Sequence, residues 1–222
     1  MAQQLGNLPL KAKIKMGVIY GRAIQFAIRS KNHAGYPNGS ITLQTDRIIK
    51  LLATDAKEPN NSDSNRRSYG NNRQIYSNLR QWMNKRGPNW FVKQHSADEP
   101  PNSANVYSGY NPYDNIDGFL SCFTAEEEAL LLLTTLTVNK ASVDGGGQET
   151  YTDKFFNLSV AEVGLSGETA EGTKLDDFSD NNSRLAYPTA EAVANSGYTN
   201  GSLNANSPWY YWLRTPYASS SY

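Results

Sequence analysis

Two stretches of this chain, residues 55–72 and 87–118, hold too much Asn, Ser, Gly and Pro to form a continuous helix or strand. Irregular segments of that length are uncommon inside a compact domain. Whatever folds here must use loops as surface and build its core from short elements between them. The second stretch carries Pro88, Pro100, Pro101 and Pro112, with Trp90, Phe91, Tyr107, Tyr110 and Tyr113 scattered among them. Aromatics supply 11% of the 222 residues, too many for a disordered chain and enough for a sizeable core. No repeat and no linker divides the sequence, which reads as one domain over 1–222 with an ordered core from about residue 8 onward.

Between the loops the periodicities are short. Lys11, Lys13 and Lys15 alternate with Ala12, Ile14 and Met16. After Gly17 and the turn Tyr20-Gly21-Arg22, Ile24, Phe26 and Ile28 alternate with Gln25, Ala27 and Arg29, which predicts a β-hairpin. A third strand is expected over 40–44, and 45–53 suits either a short helix or a buried strand. Ser77 caps a helix whose Leu79, Trp82 and Met83 share one face, and Asn84 with Gly87-Pro88 stops it. Thr124 followed by Glu127 is a capping box, opening a helix expected to run through Leu130–Leu133 before a strand at 135–138. Asp144-Gly145-Gly146-Gly147 is a turn, 155–159 a short strand leading into the turn at Ser159-Val160-Ala161-Glu162, and Thr189 the cap of a brief helix to Asn195. Residues 209–214 are expected to be a strand with Trp209, Tyr211 and Leu213 on one face and Tyr210, Trp212 and Arg214 on the other. The pattern is that of an α+β fold with short antiparallel strands, two or three short helices and long loops.

The chemistry is sparse. Lys+Arg 21 against Asp+Glu 21 leaves no diffuse basic field for nucleic acid or an anionic membrane. The longest obvious apolar run, Leu130–Leu133, falls far short of the roughly 20 residues a bilayer crossing needs. The segment Met1-Ala2-Gln3-Gln4-Leu5-Gly6 has no basic start or apolar stretch of a secretory signal. Cys122 stands alone, so neither an internal disulfide nor a multi-cysteine metal site can form, and its setting between Leu120 and Phe123 is that of a core residue. His33 and His95 have no ligand-type partner at i+3 or i+4. Glu126, Glu127 and Glu128 are accounted for by the capping box and helix dipole. The oxygen-rich stretch 176–182 lacks the spacing and closing Glu of a calcium loop, and Gly145–Gly147 lack the Lys-Ser/Thr of a phosphate-cradling loop. The sequence therefore offers no catalytic residue, no metal and no cofactor. What remains is the C-terminal aromatic cluster. Trp209, Tyr210, Tyr211, Trp212, Arg214 and Tyr217 form either a ligand-binding surface, where Tyr and Trp give contact area at low entropy cost, or core on both faces.

Almost the whole chain resembles a bacterial and phage domain family of uncharacterised function with a C-type-lectin-like fold. The matching pieces, in order, begin with Met16-Gly17-Val18-Ile19-Tyr20-Gly21 and Ile24-Gln25-Phe26-Ala27-Ile28 leading to Lys31-Asn32. They continue with Ser77-Asn78-Leu79-Arg80-Gln81-Trp82-Met83-Asn84 and Phe123-Thr124-Ala125-Glu126-Glu127. Thr152–Ser159 with Glu162, Arg184 with Tyr187-Pro188-Thr189, and Trp212-Leu213-Arg214-Thr215-Pro216 complete them. The segments 31–37 and 55–60 resemble the subgroup carried by phages and prophages of Gram-positive gut bacteria. On that resemblance Glu58-Pro59-Asn60 is a family segment, unrelated to the sugar motif of animal C-type lectins, for which no Trp-Asn-Asp partner follows. The same broad fold includes formylglycine-generating enzymes, whose paired-cysteine copper chemistry a chain with one cysteine cannot build, and the hypervariable ligand-binding proteins of diversity-generating retroelements.

The resemblance implies a non-enzymatic, virion-associated tail or adhesion module, located in the virion or in the host cytoplasm during assembly. Its implied partners are a host-surface glycan or protein and other virion proteins, with a homo-oligomer among the arrangements and neither nucleic acid nor membrane among the partners. Family members continue for several tens of residues beyond Trp-Leu-Arg-Thr/Ser-Pro, so the last strands are expected to be missing here and the 209–214 strand to have an unpaired edge. The rivals are a purely structural tail or baseplate component and a hydrolase using carboxylates such as Asp153, Asp176 or Glu162.

Overall fold

A computed structural model describes residues 4–165 and 170–221. The fold is α+β: small antiparallel sheets, four short helices and long connections among the described residues. The N-terminal hairpin forms as its alternation predicts, β1 (Lys13–Ile19) against β2 (Arg22–Lys31), and β3 (Ile41–Thr45) adds on the far side of β2. Ile24, Phe26 and Ile28 face inward at 2%, 3% and 0% exposure, which fixes the register, since a slip of one residue would put all three in water. A bulge between Lys15 and Val18 bends β1 at Gly17, where φ is +68° and a Cβ would stand 2.7 Å from Cε1 of Phe123.

Helix α1 (Ser64–Tyr69) is followed by α2 (Asn78–Met83), and the pair β4 (Arg86–Gly87) and β5 (Gly118–Phe119) brackets the proline-rich loop. Helix α3 (Ala125–Ala129) leads to the hairpin of β6 (Thr134–Asn139) and β7 (Gln148–Asp153), and α4 (Ala190–Ala194) follows. The main core gathers rings from loops and elements alike. Trp82, Trp90, Tyr113, Phe119 and Phe123 pack with Ile24, Phe26 and Leu79, and Trp90 stacks on Tyr113 at 5.5 Å. Burying one such side chain contributes roughly 1.5–3 kcal/mol. Smaller clusters form around Leu158, Val163, Leu175 and Phe178, and around Leu136, Val138 and Tyr151.

The long loops are held by polar groups where a ladder is absent. Asp55 accepts from the N–H groups of Asn71 (2.9 Å) and Asn78 (3.0 Å), and the Asn78 side chain ties Ala56 N–H to Asp98. Asp98 in turn accepts Gln94 N–H at 2.7 Å, and Glu58 meets His95 Nε2 at 2.9 Å. Asn84, just past α2, accepts from Lys154 and Phe155 N–H and donates to Phe155 O, clamping the chain after β7.

Four sequence expectations need correction. Residues 55–72 are not all loop: Asp63 caps α1 by accepting from Asn65 and Arg66 N–H. The third helix stops at Ala129, leaving Leu130, Leu132 and Leu133 at 71%, 50% and 62% exposure, because only Leu131 finds the core from that turn. The strand expected at 155–159 lies earlier, at β7, and Phe155 turns into the main core instead. Residues 209–214 form no strand: Trp209 N–H bonds to Ala186 O and Arg214 N–H to Leu158 O, so the two ends are pinned to unrelated segments and no ladder can run between them.

Candidate functional site

The C-terminal aromatics still alternate in exposure without being a strand. Trp209, Tyr211 and Leu213 are half-buried, while Tyr210 is 86% and Trp212 55% exposed, and Tyr217 lies open at 74%. Burial pushes the Tyr211 phenol above its ordinary range. Trp212 is held in place by its Nε1–H, which donates to Leu52 O at 2.9 Å.

Arg214 breaks the alternation. It is 2% exposed and so does not join Tyr210 and Trp212 on a ligand face. Its guanidinium makes a two-pronged pair with Glu162 (2.6 and 2.7 Å) and donates to the carbonyls of Asn157, Glu171 and Thr137. Glu162 also accepts Tyr36 O–H at 2.7 Å and Ser159 N–H at 3.0 Å. Burial works against Arg214's charge, but the bonds and charge of Glu162 more than offset it, so the guanidinium is held protonated. The set is a structural hub with no donor turned toward solvent.

Beside the exposed rings lies a groove of about 300 Å³ lined by Tyr20, Lys50, Leu52, Tyr110, Asn111 and Ser196 among others. Lys50 Nζ donates to Tyr20 O–H at 2.9 Å and sits 5.0 Å from the ring centre, which fixes one wall. Asn111, held at φ +52°, accepts Gly197 N–H at 2.7 Å and donates to Ser196 Oγ at 3.1 Å, fixing the other. The rings of Tyr110, Tyr198, Trp209 and Tyr210 follow one another at 5.6, 6.4 and 5.3 Å, joining the groove to the C-terminal segment. Leu52 both lines the groove and anchors Trp212. The structure thus joins Trp209, Tyr210 and Trp212 to residues the sequence did not single out: Tyr20, Lys50, Asn111 and Ser196. For Asn111 and Ser196 the signal is turn chemistry, as in Tyr110-Asn111-Pro112 and Asn195-Ser196-Gly197, which also describes an ordinary loop, and Lys50, within Ile48-Ile49-Lys50-Leu51-Leu52, carries none.

Rings with neighbouring amides and hydroxyls can stack on and hydrogen-bond a polar ligand. The carboxylates of the hydrolase reading are engaged elsewhere. Asp153 is gripped by Arg80 at 2.6 and 3.1 Å, with burial pushing its carboxyl up against that pairing, and Asp176 accepts Ser30 O–H at 2.6 Å. His33 is buried edge-on to Tyr36, and burial raises the Cys122 thiol. Among the described residues no three His, Cys, Asp or Glu side chains are grouped to hold a metal, and no helix is long and apolar enough to cross a membrane. A family model described as a domain of unknown function (DUF6273) matches residues 38–222. No curated protein and no solved structure matches.

Proposed function

From a chain that belongs to the DUF6273 family, we propose a non-enzymatic binding module whose aromatic groove takes a carbohydrate. In this reading a C-type-lectin-like scaffold, carried on a phage or prophage virion as a tail or adhesion component, displays the groove and the rings of Tyr210 and Trp212 to a host-surface glycan. The observation that carries it is the continuity of the ring row from Tyr110 to Tyr210 with a groove walled by fixed amide and hydroxyl groups. A stacked ring contributes about 0.5–1.5 kcal/mol beyond its buried area. One shallow site of this kind binds weakly, and many copies on a particle raise its avidity.

The test is retention of the purified chain on host cell walls and on isolated wall polysaccharide, with Trp fluorescence following soluble oligosaccharides. Tyr210→Ala and Trp212→Ala are expected to weaken retention about 5- to 30-fold, on loss of roughly 1–2 kcal/mol of ring contact. Tyr210→Ala is expected to leave the melting temperature unchanged, since that ring is 86% exposed. Wild-type protein that no host wall retains would sink the reading. The exposed leucines at 130, 132 and 133 favour a second reading, a purely structural virion component that packs this loop against a neighbour. Oligomers in solution that dissociate on Leu132→Ser, together with no glycan retention, would favour that reading.

A further inference from the structure

A second cleft, also of about 300 Å³, opens where β1 begins, against β2 and the segment 182–187. Its charged lining is Lys11, Lys13, Arg29 and Arg47 against Asp46 and Asp177, an excess of two positive charges. The acids are already matched. Lys13 Nζ lies 2.6 Å from Asp46, while Asp177, its side chain 1% exposed, takes both Arg29 and Lys11, the latter at 3.3 Å. Arg47 has no carboxylate within ion-pair distance among the described residues. Its Nε and Nη2 donate to Pro188 O at 3.2 and 2.9 Å, Nη2 also reaches Ala205 O, and the guanidinium sits 5.9 Å from the Tyr187 ring centre. Two ammonium groups on one wall and a guanidinium on the other are thus held in place with donors to spare.

Lys11 adds an observation of a different kind. It is the third residue of the turn closed by Ala12 N–H to Pro9 O (3.2 Å), and its φ is +66°. Glycine or asparagine is favoured at such a position, and a lysine there is strained. The strained residue is the one whose side chain, 67% exposed, leans over the cleft toward Asp177.

We propose that this cleft binds a phosphate group, held between Lys11 and Lys13 on one side and Arg47 on the other. A phosphate monoester carries between one and two negative charges near neutral pH, matching the excess of two better than the single charge of a carboxylate. The site is separate from the aromatic groove and does not rest on the carbohydrate reading.

The experiment is a titration of the full chain with inorganic phosphate near pH 7.5, followed by amide chemical shifts, with acetate as the singly charged comparator. Saturable shifts at the amides of Lys11, Lys13, Arg47 and Ser183 are expected, several-fold tighter than for acetate and weakened by added sodium chloride. Lys11→Gly is expected to leave the thermal midpoint unchanged or higher, because it relieves the turn. It should weaken phosphate about 3- to 5-fold, the worth of one partly screened charge. Lys15→Gln, on β1 and outside the cleft lining, should leave the affinity as it was. Shifts that fail to saturate, equal affinity for acetate, an unaltered affinity in Lys11→Gly, or an equal loss in Lys15→Gln would each overturn the proposal.

Discussion

Arg214 carries five N–H donors, and all of them are taken by two carboxylate oxygens and three backbone carbonyls. Such a pair contributes little net stability over a well-packed apolar replacement, because both ions must leave water. Breaking it is another matter, for the partner is then left charged and buried. Arg214→Ala should therefore cost about 3–5 kcal/mol, a large part of what holds a domain together. The midpoint of urea unfolding measures this loss. The double variant Arg214→Met with Glu162→Gln should recover part of it, and a single variant as stable as wild type would contradict the hub. Sequence reasoning groups Arg214 with Tyr210 and Trp212 by alternation and counts it among the candidate ligand residues, leaving open which face is buried. Its partner lies 52 residues upstream, and no local pattern announces a contact of that range. Trp212 is likewise placed from a distance, by Leu52 O, so alternation alone does not tell which rings stand open.

At the scale of elements, the features that read correctly are the ones closed within a few residues. Ser77 accepts Arg80 N–H, Thr189 accepts Ala192 N–H, and the Thr124–Glu127 capping box forms in both directions. The hairpin of β1 and β2 follows from alternation and a tight turn. Helix α1 escaped because it buries none of its residues, so it has no apolar period to read, only the Asp63 cap. The leucine run misled for the opposite reason: apolar residues in sequence were read as a face, but the turn after Ala129 points three of them outward. The capping box on α3 has a further role. Glu127, which accepts Thr124 N–H at 2.9 Å, also accepts Gly17 N–H at 2.9 Å, so the start of the helix is tied to the bulge of β1. Those N–H groups, Gly17 first, hold the Glu127 carboxyl below its ordinary range. Thr124→Ala removes the hydroxyl that accepts Glu127 N–H at 3.2 Å and should cost about 1 kcal/mol. Chemical denaturation reads that loss, and Thr124→Ser should restore most of it.

Across the whole molecule, the coarse α+β reading with long loops was legible because loop composition and short periodicities are visible in sequence. How the loops are pinned was not, since the Asp55–Asn78–Asp98 network joins positions about 20 residues apart through buried polar atoms. That network governs how stability should vary with pH. Burial pushes the Asp55 carboxyl well above its ordinary range, against the Asn71 and Asn78 N–H bonds and with the help of the Asp98 and Glu58 charges. Burial raises Asp98 as well, opposed by Gln94 N–H and the Asn78 side chain. For such groups the folded chain holds a proton that the unfolded chain has released. Between the ordinary carboxyl pKa and the raised one, ν_U − ν_N is negative and stability falls as pH rises. Their contribution is fully present below the unfolded value and is lost as pH climbs through the folded one. Asp63 and Glu128 are held low, Asp63 first by Arg66 N–H and Glu128 first by Arg86, so their contribution is present above the unfolded value and lost as pH falls through the folded one. The two sets together place the maximum of stability near the ordinary carboxyl pKa, at about pH 4. Thermal unfolding followed from pH 8 down to pH 3 should show a midpoint that first rises and then drops. Asp98→Asn removes one of the two coupled buried acids and should flatten the limb above the maximum while leaving the acid limb in place. The slope is the readout, because the amide also loses an acceptor for Gln94 N–H or Asn78 and will lower the midpoint at every pH. A variant whose upper limb keeps the wild-type slope would mean that Asp98 is ionised in the fold throughout.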